Sequence, residues 1–150
     1  MAEAMTGAIV SADILAPANI MVCDIDAGKR KAMADRYGIT PCDDPALLFA
    51  SSDIVILAVK PQIMDSVLET IAASPSFIPK GKKLLMSIAA GIPLARMEKH
   101  LYKDLDEGAR KNLPIIRVMP NTPSLVLAGM SGYCLNAMAD ESDARTAETI

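Results

Sequence analysis

The sequence has few aromatic residues and no excess of basic ones. None of its 150 residues is tryptophan, aromatic side chains make up 3% of the chain, and the formal net charge is −3. A nucleic-acid interface needs basic side chains to neutralise phosphates and aromatic rings on which bases can stack. The composition therefore argues against a nucleic-acid partner.

Long hydrophobic runs and paired cysteines are absent as well. The apolar runs are far shorter than the roughly 20 residues that a membrane span needs, and the opening lacks the pattern of a secretory signal. Cys23, Cys42 and Cys134 show no C-x-x-C spacing, so we interpret them as small buried side chains, and His100 as a surface residue. These absences predict a cytoplasmic protein with no membrane partner and no metal site.

Short apolar segments alternate with segments of helical periodicity along a chain long enough for one domain. This alternation predicts a Rossmann-like α/β fold, a doubly wound and mostly parallel sheet. We expect a solvated loop or frayed helix at residues 102–113, where charges surround Gly108. The predicted strands are 19–24, 53–59, 82–88, 114–120 and 129–136, and the predicted helices are 1–12, 27–38, 43–52, 62–73, 92–101 and 140–150.

The opening segment "MAEAMTGAIV" has the three-and-four spacing of an apolar helix face, through Met1, Met5 and Ile9. No Ser, Thr, Asp or Asn precedes it, so no side chain is available to cap the amides of its first turn. The sequence thus predicts a helix with an unsatisfied amino end.

Four turns directly follow predicted strands, which is where open α/β sheets bind their ligands. They contain Asp24, Lys60–Pro61, Ala89–Gly91 and the segment 120–123. Each also has a purely structural interpretation, because lysine is usually exposed, small residues pack tightly in turns, and asparagine caps local amides. Taken together they indicate a ligand-binding edge.

In this order and spacing, the segments "AVKP", "SIAAGI" and "RVMPNTP" closely resemble the amino-terminal domain of pyrroline-5-carboxylate reductases. The resemblance implies an oxidoreductase that uses NADP or NAD to reduce 1-pyrroline-5-carboxylate to L-proline, the last step of proline biosynthesis. Met1 and Ala2 match the last two positions of the family's GxGxxA fingerprint. Residues 1–150 are therefore expected to form a single, partial dinucleotide-binding domain that lacks the first strand and the carboxy-terminal helical domain. A homo-oligomer is expected only for the longer enzyme.

The resemblance also assigns roles to individual residues. Asn121 and Thr122 are expected beside the nicotinamide and the imine, where they position the reactants without acid or base chemistry. The residues expected to bind the cofactor are Met1, Ala2, Asp24, Ala58, Val59, Lys60, Pro61, Ile88, Ala89 and Ala90.

Asp24 bears on the choice of cofactor. An acid at the end of the second strand of this fold accepts hydrogen bonds from the ribose of NAD and repels the 2′-phosphate of NADP. The residue therefore favours NAD, although Lys29 and Arg30 are close enough to weaken this inference. The alternative, that Asp24 or Asp26 caps the following helix, stays open at this point.

Two other functions fit the sequence. One is a related dehydrogenase acting on a hydroxy acid or a deazaflavin, against which "MPNTP" argues. The other is a truncated, non-catalytic nucleotide-binding module.

Overall fold

The computed structural model describes residues 1–120 and 130–150, in which helices and strands alternate. The predicted α/β alternation is confirmed, and the elements that were predicted lie within two residues of their expected limits. The helices are α1 (Ala2–Ser11), α2 (Ala27–Tyr37), α3 (Pro45–Ser51), α4 (Met64–Ala72), α5 (Leu94–Leu101), α6 (Glu107–Lys111) and α7 (Glu141–Thr149). The strands are β1 (Met21–Cys23), β2 (Thr40–Cys42), β3 (Ile54–Leu57), β4 (Leu84–Ser87), β5 (Ile115–Pro120) and β6 (Ser131–Leu135).

The strands form two groups. Strands β3, β4 and β5 are parallel neighbours, and β6 joins the far side of β5 in the antiparallel direction. Strands β1 and β2 form a separate parallel pair. The mostly parallel sheet predicted from the sequence is confirmed, with one antiparallel strand at its edge.

The two groups of strands are not joined by hydrogen bonds within the described part of the chain. Among the described strands, β1 pairs only with β2 and β3 pairs only with β4, so each has one side on which no described strand partners its backbone groups. An open strand side exposes N–H and C=O groups that readily pair with another strand. The division lies where the resemblance places the absent first strand.

Local signals explain where the helices begin and end. The Asp26 side chain accepts hydrogen bonds from the amides of Gly28 and Lys29 and thereby caps α2. That helix ends at Gly38, whose φ of 70° is the left-handed conformation that glycine adopts at little cost. Asp44 caps α3 in the same way as Asp26 caps α2. These sequence signals therefore act as predicted.

One strand was not predicted, and one segment is more ordered than expected. Strand β2 has only three residues, and Pro41 stands at its centre, a residue that the edge of a sheet tolerates and a central strand does not. Helix α6 occupies the middle of segment 102–113, where a solvated loop or a frayed helix was expected, and Asp106 caps it. The helical alternative is therefore the correct one, but Leu105 and Leu113 on either side of the helix are buried and not solvated.

Apolar clusters cover both faces of the three parallel strands β3, β4 and β5. On one face, helices α3, α4 and α5 bury a cluster centred on Phe49, Leu68 and Met97 against the sheet. On the other face, a smaller cluster of Leu84, Met86 and Ile116 packs against α7 and the turn before it. Burial of this apolar area is the main favourable term that holds the sheet and helices together.

Predictions for single residues are partly wrong. Cys42 is buried and Cys23 half-buried, but Cys134 is exposed because both faces of β6 are open to solvent. His100 is half-buried rather than fully exposed, with 18% of its side chain accessible and its Nε2 atom 3.3 Å from the Asp65 carboxylate. In the described residues, none of the helices has the length and apolar character needed to cross a membrane.

Candidate functional site

The carboxyl ends of β3 and β4 lie side by side. Leu57, the last residue of β3, is paired with Ser87, the last residue of β4. Beyond this pair the Ile88 amide donates a hydrogen bond to the Leu57 carbonyl at 3.1 Å, which ties the two following turns together. The two turns predicted to line a ligand site, 58–61 and 88–90, therefore lie next to each other.

The turn after β4 presents backbone and small side chains. Ala89 is buried and its amide donates to the Ser87 hydroxyl at 3.4 Å, whereas Ala90 is exposed. Gly91 follows with a φ of 74°, a conformation that other residues adopt only with strain. Because no large side chain intervenes, a flat ring can approach the backbone here.

The turn after β3 carries a positive charge. Val59 packs against the main core, and Pro61 begins a short 3₁₀ turn. The Lys60 side chain between them is exposed, and no carboxylate among the described residues lies within 4.0 Å of its ammonium group. Val59 thus fixes the turn to the core, and the exposed ammonium group of Lys60 is in a position to bind an anionic ligand.

Asp24 follows β1 and has a structural partner of its own. Its carboxylate accepts a hydrogen bond from the Asp26 amide at 2.9 Å, and its carbonyl accepts one from the Arg30 guanidinium. The helix cap is Asp26, so of the two capping alternatives only Asp26 is correct. Asp24 instead shapes the loop between β1 and α2, with the cation of Arg30 next to it.

Helix α1 begins as the sequence predicts. Met1 is at the capping position and makes no side-chain cap bond, so the amides of the first turn lack a side-chain acceptor. The carboxylate of Glu3 is drawn away to Arg36 of α2, at 2.8 Å. The amino end of α1, which includes Ala2, thus has amide donors available for an anion.

Two predicted residues, Asn121 and Thr122, lie outside the described residues. The structure describes the strand that precedes them, β5, as far as Pro120.

Two open cavities accompany these elements. The smaller, of about 300 Å³, lies at the carboxyl side of β2 and is lined by Arg30, Pro41, Cys42, Asp43 and Leu47. Sequence reasoning missed it because β2 was not recognised, although the rule that ligands bind after strands would have indicated Asp43. The larger cavity, of about 430 Å³, is lined mainly by residues of α5, of α6 and of the segment between them, and no predicted site residue is among its described lining residues. We therefore assign it no part in the predicted site.

Comparisons with known proteins agree with this geometry. A family model described as NADP oxidoreductase coenzyme F420-dependent matches residues 1–91. A pyrroline-5-carboxylate reductase of Pseudomonas aeruginosa is 34% identical over 147 residues, which cover 98% of this chain and 49% of that protein. The chain spans about half the length of the curated relatives it matches.

Solved structures give the same result. The structure of a pyrroline-5-carboxylate reductase from Coxiella burnetii superimposes with a TM-score of 0.84 at 28% identity, covering 99% of this chain and 50% of that one. The Plasmodium falciparum pyrroline carboxylate reductase with NADP bound gives a TM-score of 0.74 at 28% identity, covering 96% and 47%.

These findings confirm both the Rossmann-like fold and the resemblance to pyrroline-5-carboxylate reductases. The predicted cofactor class, NADP or NAD, agrees with the description of the family and with the NADP in the Plasmodium structure. The matched residues run from the start of α1 through the turns after β1, β3 and β4. The chain belongs to the family described as NADP oxidoreductase, coenzyme F420-dependent.

Proposed function

We propose that this chain is the cofactor-binding half of an enzyme that reduces 1-pyrroline-5-carboxylate to L-proline with NADPH or NADH. The observation that carries the proposal is the pairing of Leu57 with Ser87, which brings the turns of "AVKP" and "SIAAG" together at one edge. Similarity to pyrroline-5-carboxylate reductases over 98% of the chain supports it. The substrate is then a small imine carboxylate.

The residues present fit a dinucleotide. The uncapped amides at the start of α1 suit a pyrophosphate, and exposed Lys60 lies in a turn where phosphates would pass. Asp24 follows β1, where an acid in this fold can accept hydrogen bonds from ribose hydroxyls, and the small side chains of Ala89 and Ala90 would suit a nicotinamide ring.

The residues of this chain orient the reactants in the proposed reaction. A nicotinamide held at this edge would supply a hydride to the carbon of an imine already protonated on nitrogen, so the product amine forms without an acid from this chain. The turn 88–90 holds the ring close to the substrate, and Asn121 and Thr122 position the imine beside it. Holding two reactants at the correct distance and angle is itself a large part of such catalysis.

The separation of the β1–β2 pair from the four-stranded sheet bears on how the domain is completed. We propose that residues 1–150 form one dinucleotide-binding domain whose sheet is completed by a parallel strand between β1 and β3. One strand placed there would pair on both sides, with the open sides of β1 and β3. The same completed domain would belong to a longer, homo-oligomeric enzyme.

A chimera tests the function. In the Pseudomonas aeruginosa reductase, the half that matches this chain is replaced by residues 1–150, and the remainder of the relative is kept. We expect the purified chimera to oxidise NADPH or NADH in the presence of pyrroline-5-carboxylate. We also expect it to restore growth without proline in Escherichia coli that lacks its own pyrroline-5-carboxylate reductase.

Other outcomes decide against the proposal. A folded chimera that binds the nucleotide but does not reduce the imine would identify a non-catalytic nucleotide-binding module. Turnover of a hydroxy acid or of coenzyme F420 in place of the imine would identify a related dehydrogenase. The F420 arm is included because the description of the family names that coenzyme.

The choice of cofactor gives a prediction for Asp24. In the chimera, Asp24→Ser is expected to lower KM for NADPH relative to NADH by about 10-fold, because it removes a carboxylate that repels a 2′-phosphate near Arg30. The control is Asp26→Ser, which removes a charge two residues away but keeps a side chain able to cap α2. An equal shift in both variants would show that net charge alone, and not the position of Asp24, sets the preference.

A further inference from the structure

Two cysteines are paired across the strands β1 and β2. Cys23 is the last residue of β1, Cys42 is the last residue of β2, and the register of these parallel strands places them opposite each other. Side chains alternate between the two faces along each strand, so residues paired in register project to the same face. Sequence reasoning did not bring the two cysteines together, because β2 was not recognised.

The spacing of the two strands suits a disulfide. Neighbouring strands lie about 4.8 Å apart, and the Cα atoms of a disulfide are usually about 4.4 to 6.8 Å apart. Both thiols are free, and that of Cys42 donates a weak hydrogen bond to the Asp44 carbonyl, at 3.2 Å. No described strand pairs with the other side of β1, so a small shift of Cys23 towards Cys42 breaks no strand pairing there.

The surroundings of the two cysteines admit a small thiol reagent. Cys42 is buried by its neighbours, but it lines the open cavity of about 300 Å³ together with Arg30 and Asp43, and Cys23 is half-buried. Burial and the neighbouring Cys42 thiol raise the pKa of the Cys23 thiol above its ordinary value. One thiol influences another in this way only where the two lie close together. The two thiols therefore share one environment, next to a cavity open to solvent.

We propose that Cys23 and Cys42 are a redox-active pair, which a low-molecular-weight disulfide such as oxidised glutathione converts into a reversible disulfide. The Cys42 thiolate attacks one sulfur of the reagent, whose own S–S bond breaks, and one glutathione leaves. The Cys23 thiolate then attacks the Cys42 sulfur, which forms the Cys23–Cys42 bond and releases the second glutathione. Two protein thiols are oxidised, the reagent is reduced to two thiols that take up the two protons, and excess reduced glutathione reverses the exchange.

The bond changes the loop that follows β1, and the effect of this change on ligand binding rests on the proposed function. Asp24 directly follows Cys23 in the chain. The Cβ atoms of a disulfide are about 3.8 Å apart, roughly 1 Å less than the spacing of the strands, so the bond draws the ends of β1 and β2 together. Asp24 moves with Cys23, away from the place proposed for the ribose. The oxidised chain is therefore expected to bind NADH more weakly than the reduced chain.

Peptide mapping of the folded chain tests the pair directly. Trypsin cleaves after lysine and arginine residues that separate all three cysteines, so each cysteine lies in a peptide of its own. The chain is treated with oxidised glutathione at about pH 8.5 to favour thiolates, the remaining thiols are blocked, and the monomer is digested for mass spectrometry. We expect the peptides of Cys23 and Cys42 to be linked to each other without glutathione, and we expect reduced glutathione to separate them.

Cys134 is the matched control within the same molecule. It is exposed on β6, and its partner on β5 is Arg117 and not a cysteine. The same treatment is expected to stop there at a mixed disulfide with glutathione, which also shows that the reagent is active. The proposal is overturned if Cys23 and Cys42 each keep a glutathione, if neither reacts, or if they become linked only after unfolding in urea.

A nucleotide titration separates this proposal from the proposed function. In a Cys134→Ser chain, the linked form is expected to bind NADH with a Kd about 3- to 10-fold above that of the reduced form, the range for losing one hydrogen bond. Backbone amide signals measure both values. A chain that also carries Cys23→Ser and Cys42→Ser should bind NADH equally before and after treatment. Equal Kd values for the linked and reduced forms would contradict the expected effect on the site. If neither form binds NADH, the proposed function fails, and the peptide map still decides whether the pair is redox-active.

Discussion

Replacing Ala90 by glutamate is expected to lower kcat/KM of the chimera about 100-fold, the scale of loss when a reacting ring is displaced by about an ångström. Ala90 is exposed in the turn after β4, so a longer side chain need not disturb the core. A carboxylate there would occupy the space expected for the nicotinamide and repel the nearby phosphates. Steady-state kinetics with both nucleotides, together with a thermal melt, measure the two effects separately.

The control for this variant is Ala137→Glu. Ala137 is also exposed, but it follows β6 at the opposite end of the four-stranded sheet from the predicted site. We expect it to leave kcat/KM and the melting temperature nearly unchanged. Equal losses in the two variants would mean that the turn after β4 is not the place where the nucleotide binds.

Asn136→Ala is expected to lower the free energy of unfolding by about 3 kcal/mol, which is a melting temperature lower by about 6 to 12 °C. The Asn136 side chain is buried and accepts hydrogen bonds from the amides of Ile115 and Met138, at 3.0 and 3.2 Å. It also donates to the Glu98 carboxylate and to the Tyr102 hydroxyl, at 3.0 and 2.8 Å. Alanine would leave the start of β5 with an unsatisfied buried amide, and chemical denaturation of the chain measures the loss.

Two further variants qualify this result. Asn19→Ala, at an exposed position, is expected to change the stability by less than about 0.5 kcal/mol. Tyr102→Phe removes only the hydroxyl that bridges Asn136 and the Leu113 carbonyl, and a loss of about 1 kcal/mol is expected. A loss for Asn136→Ala no larger than that for Asn19→Ala would contradict a structural role for this network.

The Tyr102 hydroxyl is expected to make the stability of the fold depend on pH in the alkaline range. Burial raises the pKa of Tyr102 to about 12, from an ordinary value of 10.0. The unfolded chain therefore loses this proton at a lower pH than the folded chain does. The stability linked to Tyr102 is complete below pH 10 and is lost as the pH rises towards 12. In Tyr102→Phe this part of the alkaline loss should disappear.

The sequence predicted the fold well where local signals agreed with long-range packing. Asp26, Asp44 and Gly38 each mark a helix boundary by chemistry that needs no knowledge of the rest of the chain. Strand β2 was not predicted because its three residues include Pro41. A strand tolerates proline at the edge of a sheet, and only the folded sheet shows that β2 lies at an edge. The orientation of β6 was open for the same reason, since antiparallel pairing is a property of the assembled sheet.

The candidate site was also predicted in part. We could predict that the residues after β3 and β4 lie together, because parallel strands end at a common edge of the sheet. The hydrogen bond between the Asp24 carboxylate and the Asp26 amide could not be predicted, since either of these two acids could have capped α2. The cavity after β2 was missed because that three-residue strand was itself not recognised in the sequence.

The central claim is that the carboxyl edge of this sheet holds a nicotinamide dinucleotide. The most direct measurement is the change in backbone amide signals of the ¹⁵N-labelled chain when NADPH or NADH is added up to about 10 mM, which detects even weak binding. We expect weak binding, with the largest changes in the first turn of α1 and in the segments 24–30, 58–61 and 88–91. Changes centred instead on the cavity between α5 and α6, around Lys99, Lys103 and Arg110, would contradict it.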